Sequence, residues 1–484
     1  MSQVQTIFKN MSWLLVSRIL NAVCGFVWTI LITRYLGASN YGIMSFAISL
    51  TGILAITMDL GISTHIVRHI ATDFDSAPRY LGNAIPLKSI FSFVTFLLAL
   101  VLLIIMHCDE ITIQITLLFT IQTIFTSFTN LFNGSLQAVE EGKYQAIGNI
   151  ILTILLLIFI LLSIFGDFGL YGITFAYLIA NILVTIFQYL TVEKRLSRPK
   201  IEFDWEFCKK ITLYSIPFAL TSFFGVVIYN ADMVMITTMV SSYANGIYSA
   251  AYKLVSVLTL FYGIYSTVVF PVMSRLFVNE KNLLVLSFEK SLKYLMLFIL
   301  PISFAIIFYS SDIVLLIFGN EYLQTSTVLS IIMWTVPISF INGVCLTLLN
   351  ASHKEKYVTI VYLIATIFNV GLNFIIIPKY SYNGAAFTTI LCDLLITVLY
   401  FYSIYTLDAM PRKGLYLDLF KILIGSLILY ALLVVLNLNM WVAIPVGIII
   451  YLVSLNLLRL FDDDDKYVIK EIITNNLPFK SSKK

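Results

Sequence analysis

The residues of this sequence that could do chemistry are ionisable side chains set inside long apolar runs: Arg18, Asp59, Asp232, Lys253 and Asp393, with Arg34 at the end of one run. Moving a charge to the centre of a bilayer costs roughly 2.5–3.5 kcal/mol on insertion scales, so each of these needs a partner or a task. Counting 1.5 Å per helical residue, Arg18 and Asp59 lie at similar depth, ~10 Å in from one end of the first two runs. Asp232 and Lys253 lie at a similar depth from the opposite end of the seventh and eighth. Two intramembrane ion pairs are expected, Arg18 with Asp59 and Asp232 with Lys253, which either staple hairpins together or meet a charged substrate. Asp393 falls near the middle of its run and is a candidate for binding a coupling proton. Arg34 is read as an interfacial anchor or as a ligand. Asn21, Asn369 and Asn373 add neutral amides. The last two share a helix face at i,i+4 spacing, suited to bonds between helices or to a sugar-lined route.

The elements that carry these residues are membrane helices. Of 484 residues, 60% are hydrophobic and 12% charged, and the mean hydropathy is +0.94. Apolar segments of about 20 residues, enough to cross ~30 Å of hydrocarbon, recur about fourteen times between residues 11 and 460. The expectation is an all-α integral membrane protein of the cytoplasmic membrane. The first segment, 11–33, lacks a small-residue cleavage site and is read as uncleaved. Several activities are excluded. There is no glycine-rich phosphate loop ending in Lys-Ser/Thr, no His–carboxylate cluster with metal spacing, and no external loop large enough for a membrane glycan polymerase or ligase. The five cysteines are scattered, with neither a disulfide pattern nor a metal pattern. No cofactor, metal or nucleic acid is called for, and the chain does not read as an enzyme.

Orientation follows from the basic residues. Assigning loops alternately to the two sides puts nearly all of the 30 Lys and Arg residues on one side, so both termini are expected in the cytoplasm. In that tally Lys88 and Lys293 count as loop residues. The chain also repeats itself. Tyr41-Gly42-Ile43-Met44-Ser45 returns as Asn245-Gly246-Ile247-Tyr248-Ser249, 204 positions later, and Gly172-Ile173-Thr174-Phe175 returns as Gly384-Ala385-Ala386-Phe387. An offset spanning six helices preserves orientation and predicts two pseudo-symmetric six-helix bundles around a cleft. The expected organisation is an N-terminal bundle over 1–190, a cytoplasmic crossover linker over 191–211, and a C-terminal bundle over 212–406. Two further helices follow over 407–460, then a cytoplasmic polar tail over 461–484 that begins with the acidic run Asp462–Asp465.

Several stretches then resemble the signature of the polysaccharide-biosynthesis flippases, which export O-antigen and capsule repeat units on a lipid carrier. They are Arg34-Tyr35-Leu36-Gly37 with Tyr41-Gly42, Met58-Asp59-Leu60-Gly61-Ile62-Ser63, Ala231-Asp232, Gly246–Leu254, Phe270-Pro271 and Phe318-Gly319-Asn320-Glu321-Tyr322. The resemblance implies the fold of the multidrug and toxin extruders and of the lipid II flippase, with a cavity that opens alternately to either side. It makes Arg18, Arg34 and Lys253 the candidate cations for a pyrophosphate head, and Asp59 and Asp232 the acidic positions. The expected task is moving a polyprenyl-linked oligosaccharide from the inner to the outer leaflet, driven by an ion gradient. Membrane lipids and the pathway's polymerase and chain-length proteins are its implied partners. A cation-coupled multidrug exporter of the same fold is the alternative. A scaffold without transport would leave the buried charges unexplained.

Overall fold

The computed structural model describes residues 3–460 apart from 197 and 408; the acidic run and the tail over 461–484 lie outside the described residues. Those residues are helical and contain no strand. The helices are α1 (Gln3–Asp59), α2 (Ile62–Thr72), α3 (Ala77–Ile105), α4 (Glu110–Ala138), α5 (Gly142–Phe165), α6 (Gly169–Arg195), α7 (Trp205–Met239) and α8 (Ser242–Asn279). After these come α9 (Lys281–Phe308), α10 (Ser310–Ile317), α11 (Thr325–Ile332), α12 (Thr335–Ala351), α13 (Glu355–Tyr405), α14 (Lys413–Leu436) and α15 (Met440–Leu457).

Among the described residues, 12 helical stretches are long and apolar enough to cross a membrane. Two of them are too long for one crossing. Straight, the 51 residues of α13 would reach ~75 Å, more than twice the hydrocarbon thickness. Both reverse instead. In α1 the turn is Gly37 (φ 72°), and in α13 it is Ser381 (φ 52°). The first arm of α1 runs with α5: Asn21 donates to Thr153 at 3.3 Å, and farther along Tyr35 bonds Asp167 at 3.0 Å. The second arm runs against α3, with Phe46 near Leu103 in one apolar cluster and Thr57 2.8 Å from Thr95. Since α3 and α5 share a direction, the two arms of α1 oppose each other. In α13 the Cys392 thiol reaches back to the Ala365 carbonyl at 3.5 Å, so its arms form a hairpin as well. Among the described residues the sequence's expectation of about fourteen segments thus meets 12 stretches, two of which double back.

The chain divides into two compact units. One holds the described residues up to Val257 with Val314–Val328 and Glu355–Ile396; the other holds Leu258–Ile313, Leu329–Lys354 and the described residues from Thr397. Within the first unit, the repeated motifs meet each other. A Cβ on Gly42 would lie 1.7 Å from the Ser242 carbonyl oxygen, and one on Gly246 would lie 1.8 Å from the Ala38 carbonyl oxygen. The contacts are reciprocal under the repeat offset of 204, since Ala38 corresponds to Ser242 and Gly42 to Gly246. The Asn245 amide donates to the Gly42 carbonyl at 2.9 Å, and Ser45 donates to Ser249 at 2.6 Å. Only a glycine at each crossing point lets the second arm of α1 and the start of α8 approach this closely.

Two other signature stretches, Arg34–Gly37 and Phe318–Tyr322, interlock beside this crossing. Arg34 donates to the carbonyls of Ile317 (2.8 Å) and Leu316, the C-terminal end of α10, where a cation is favoured. Glu321 accepts from the Ala38 amide at 2.7 Å, capping the second arm of α1, and Tyr322 donates to the Thr33 carbonyl at 3.1 Å. Gly37 is required twice here, by its positive φ and by the Glu321 carboxylate against its α-carbon.

In the second unit, Lys293 pairs with Asp418 at 2.8 Å and donates to the Leu460 carbonyl, while Tyr451 donates to the Leu297 carbonyl. These bonds hold α14 and α15 on α9. Lys293 is 2% exposed, so the sequence tally misplaced it as a loop cation.

Gly42→Ala and Gly246→Ala are each expected to destabilise the protein by about 1–3 kcal/mol, the usual penalty of overpacking. Thermal unfolding of the detergent-solubilised protein reads this out. Because both methyls enter one crossing, the double variant should fall short of the sum.

Candidate functional site

The first unit carries two polar cavities on adjacent stretches of the same two helices. The first, about 250 Å³, is lined on the second arm of α1 by Tyr41, Ser45 and Ser49 and on α7 by Asn230 and Met233. Tyr177, Ser249, Tyr252 and Lys253 complete its wall. The glycine crossing closes this cavity at its Tyr41 end. The second, about 280 Å³, continues on α1 with Gly52, Ala55 and Asp59 and on α7 with Val226, Ser222 and Ala219. Asn230 lies 3.9 Å from where a Cβ on Gly52 would be, so the two cavities run end to end. No aspartate or glutamate lines the first, and among the described residues Lys253 makes no ion pair. An ammonium without a counter-ion thus points into a polar pocket inside a membrane segment.

Neither expected ion pair forms. Asp59 pairs with Lys88, which is fully buried, and takes a hydrogen bond from Ser63. Arg18 is exposed, on an arm that packs against α5, whereas Asp59 ends the arm that packs against α3. Equal depth did not mean a shared face. The chain breaks at Leu60 (φ 43°) and Gly61 (φ 79°), immediately after Asp59, and α2 starts anew. A carboxylate at a helix C-terminus is unfavourable by itself, and Lys88 offsets it.

Asp232 is 3% exposed and is held by three neutral donors: Tyr248 at 2.7 Å, Thr389 at 2.8 Å and Asn373 at 2.6 Å. Asn373 also donates to the Asn369 side-chain oxygen at 3.3 Å, leaving its own Oδ1 buried and unbonded. Lys253 follows Tyr248 by five residues, a rotation of about 140° on a helix, and so leaves this knot for the pocket. Asn369 and Asn373 were expected on a polar wall; they are buried around Asp232, away from both cavities. The carboxylate is thus satisfied by two hydroxyl donors and one amide NH2, with no cation among its bonded partners. Asp393 lies half-buried one turn beyond Thr389. Arg34, counted among the cavity cations, is engaged at the α10 terminus and lines neither cavity. Asn21 is half-buried and bonds Thr153.

Sequence reasoning missed Lys88, Tyr248 and Thr389. Lys88 had a visible signal, since it sits beyond Ala84-Ile85-Pro86-Leu87 and therefore inside the apolar run. The hydroxyls had none.

A family model described as polysaccharide biosynthesis protein matches residues 7–277, more than half of the chain. The chain belongs to that family. It also matches the MatE family model over residues 217–375. It is 24% identical over 402 residues to the capsular polysaccharide biosynthesis protein CapF of Staphylococcus aureus, covering 81% of this chain and 98% of that one. It is 24% identical over 400 residues to the probable low-salt glycan biosynthesis flippase Agl15 of Haloferax volcanii, covering 80% and 81%. Its fold is that of the lipid II flippase MurJ in an inward closed conformation, with a TM-score of 0.78 at 18% identity over 91% of this chain and 97% of that one. An inward-facing multidrug resistance MATE transporter gives 0.68 at 14% identity, over 82% and 96%. The protein is therefore a multi-pass membrane protein of flippase and transporter fold, and its family and structural neighbours are not enzymes.

Removing one partner of the Asp59–Lys88 pair leaves a buried charge and is expected to cost about 3–5 kcal/mol. Lys88→Met and Asp59→Asn should each lower the unfolding temperature, and the double variant should recover most of the loss. A double-mutant cycle on thermal unfolding measures this coupling.

Proposed function

We propose that this protein moves a polyprenyl-(pyro)phosphate-linked oligosaccharide, an O-antigen or capsule repeat unit, from the inner to the outer leaflet by alternating access between the halves 1–190 and 212–406. The observation that carries the reading is the unpaired Lys253 ammonium in a polar pocket, which suits an anionic head group and not a cationic drug. The similarity to a capsular polysaccharide protein and to a probable glycan flippase supports it. With the glycine crossing at the expected outer end, the closed state is one loaded from the inner leaflet. Coupling is assigned to Asp232, whose oxygen-rich knot takes up a proton or monovalent cation while Tyr248, Thr389 and Asn373 rearrange around it. Asp393, one turn away, is placed on the path of that ion. Polymerase and chain-length proteins of the same pathway would take the product on the outer face.

The match to the MatE model favours one second reading, a cation-coupled multidrug exporter. Raised drug resistance on expression, with no effect on cell-surface glycan, would decide for it.

In a deletion strain, lipid-linked saccharide should accumulate on the inner leaflet, and the wild-type protein should clear it. Lys253→Gln is expected to reduce export about tenfold or more at equal protein level, the magnitude of one lost charge-assisted contact; undiminished export would refute the assignment. Asp232→Asn should transport without responding to an imposed proton or sodium gradient in proteoliposomes. A retained response would move the coupling elsewhere.

A further inference from the structure

We infer that the cavity at the Asp59 helix break is a subsite for a neutral saccharide ring, distinct from the anion-attracting Lys253 pocket; the inference rests on the reading of the protein as a lipid-linked saccharide transporter. The geometry is that of a fixed acceptor facing open space. Lys88 and Ser63 both bond Asp59 Oδ1, which pins the carboxylate, while Oδ2 accepts no hydrogen bond from the described residues, and the side chain remains 28% exposed to the cavity. A carboxylate oxygen held this way is a charge-assisted acceptor for a ligand hydroxyl.

A second, independent feature points the same way. Ser127 is only 6% exposed and lines this cavity, yet its hydroxyl is without a hydrogen-bond partner. A buried hydroxyl left unsatisfied is costly, and a rotation of the Ser127 side chain toward the cavity would let a ligand hydroxyl satisfy it. Thr64 and Asn130 add further polar groups to the wall.

Charge decides what class of ligand fits. Asp59 is the one charged residue in the lining and Lys88 neutralises it from behind, so the cavity attracts neither a phosphate nor a cation. What remains is a neutral polyol. The volume of about 280 Å³ lies just below the ~300 Å³ at which sites for drug-sized ligands begin, so it takes part of a repeat unit and not the whole. The substrate would then lie along α1 and α7 with its phosphate at Lys253 and its sugar at Asp59.

The test compares two probes, a polyprenyl diphosphate and the same lipid carrying one glucose, bound to the full-length protein in detergent micelles and counted by native mass spectrometry. The wild type is expected to favour the glucosylated lipid about tenfold, as one hydrogen bond to a charged group provides. That ratio should fall close to one in the Asp59→Asn/Lys88→Met double variant, which leaves no unpaired charge, and should fall severalfold in Ser127→Val, which removes no charge at all. Lys253→Gln should weaken both lipids and keep the ratio. A ratio near one in the wild type, or one preserved in both cavity variants, overturns the subsite. No binding of the bare lipid overturns the transport reading and this inference with it.

Discussion

Everything in the first unit depends on how closely two backbones approach at Gly42 and Gly246. In a bilayer there is no hydrophobic drive between helices, so association rests on close packing and on polar bonds made inside it. The crossing supplies both. Two missing Cβ atoms bring carbonyl and α-carbon into contact, and Asn245 and Ser45–Ser249 then bond across the gap. The contact is reciprocal because the two segments are copies. Whatever packs at Gly42 against Ser242 packs again at Gly246 against Ala38. A duplicated chain therefore needs to solve the crossing once. The interlock of Arg34, Glu321 and Tyr322 with the α1 turn holds the arms in the register at which the glycines coincide.

From that fixed end the polar groups are ordered by their need for counter-charge. Among the described residues Asp232 is the most buried carboxylate, and it is satisfied by neutral donors alone. A site of this kind can change its charge state without breaking an ion pair, which suits a group that must load and unload an ion in every cycle. Asp59 and Lys88 are the opposite case. Their charges cancel, so the pair fixes a helix break and offers one oxygen to its surroundings. Lys253 has no acid in its pocket wall and, among the described residues, no ion pair.

The all-helical membrane architecture was legible in the sequence because hydrophobic length is a one-dimensional signal. The long apolar helices follow from counting apolar residues. The partners of the charges were not legible, because depth can be read from position in a run while azimuth depends on which helix lies alongside. Arg18 and Asp59 share a depth and face different neighbours. Lys253 and Asp232 share a depth too, but five residues of helix rotate Lys253 away from the face on which Tyr248 meets Asp232. Lys88 and Lys293 were misplaced for a related reason, since a cation a few residues inside a run looks like a flank until a buried carboxylate is found opposite it.

The same distinction explains why signature residues of a family can be structural on one side and functional on the other. Arg34 and Glu321 are charged and sit in recognisable motifs, but both are consumed by backbone groups at helix ends, where fixed partial charges hold them. Lys253 belongs to an equally recognisable motif, yet among the described residues it makes no ion pair, and no acid lines its pocket. In a low-dielectric interior, a charge already satisfied by the fold can only be lost, whereas an unsatisfied one lowers the energy of whatever ion arrives. A transporter that must release its cargo gains from keeping that ammonium few and isolated. On the proposed reading, one cation would bind a head group firmly enough to admit it, and a second beside it would hold the head group after the cavity had turned outward.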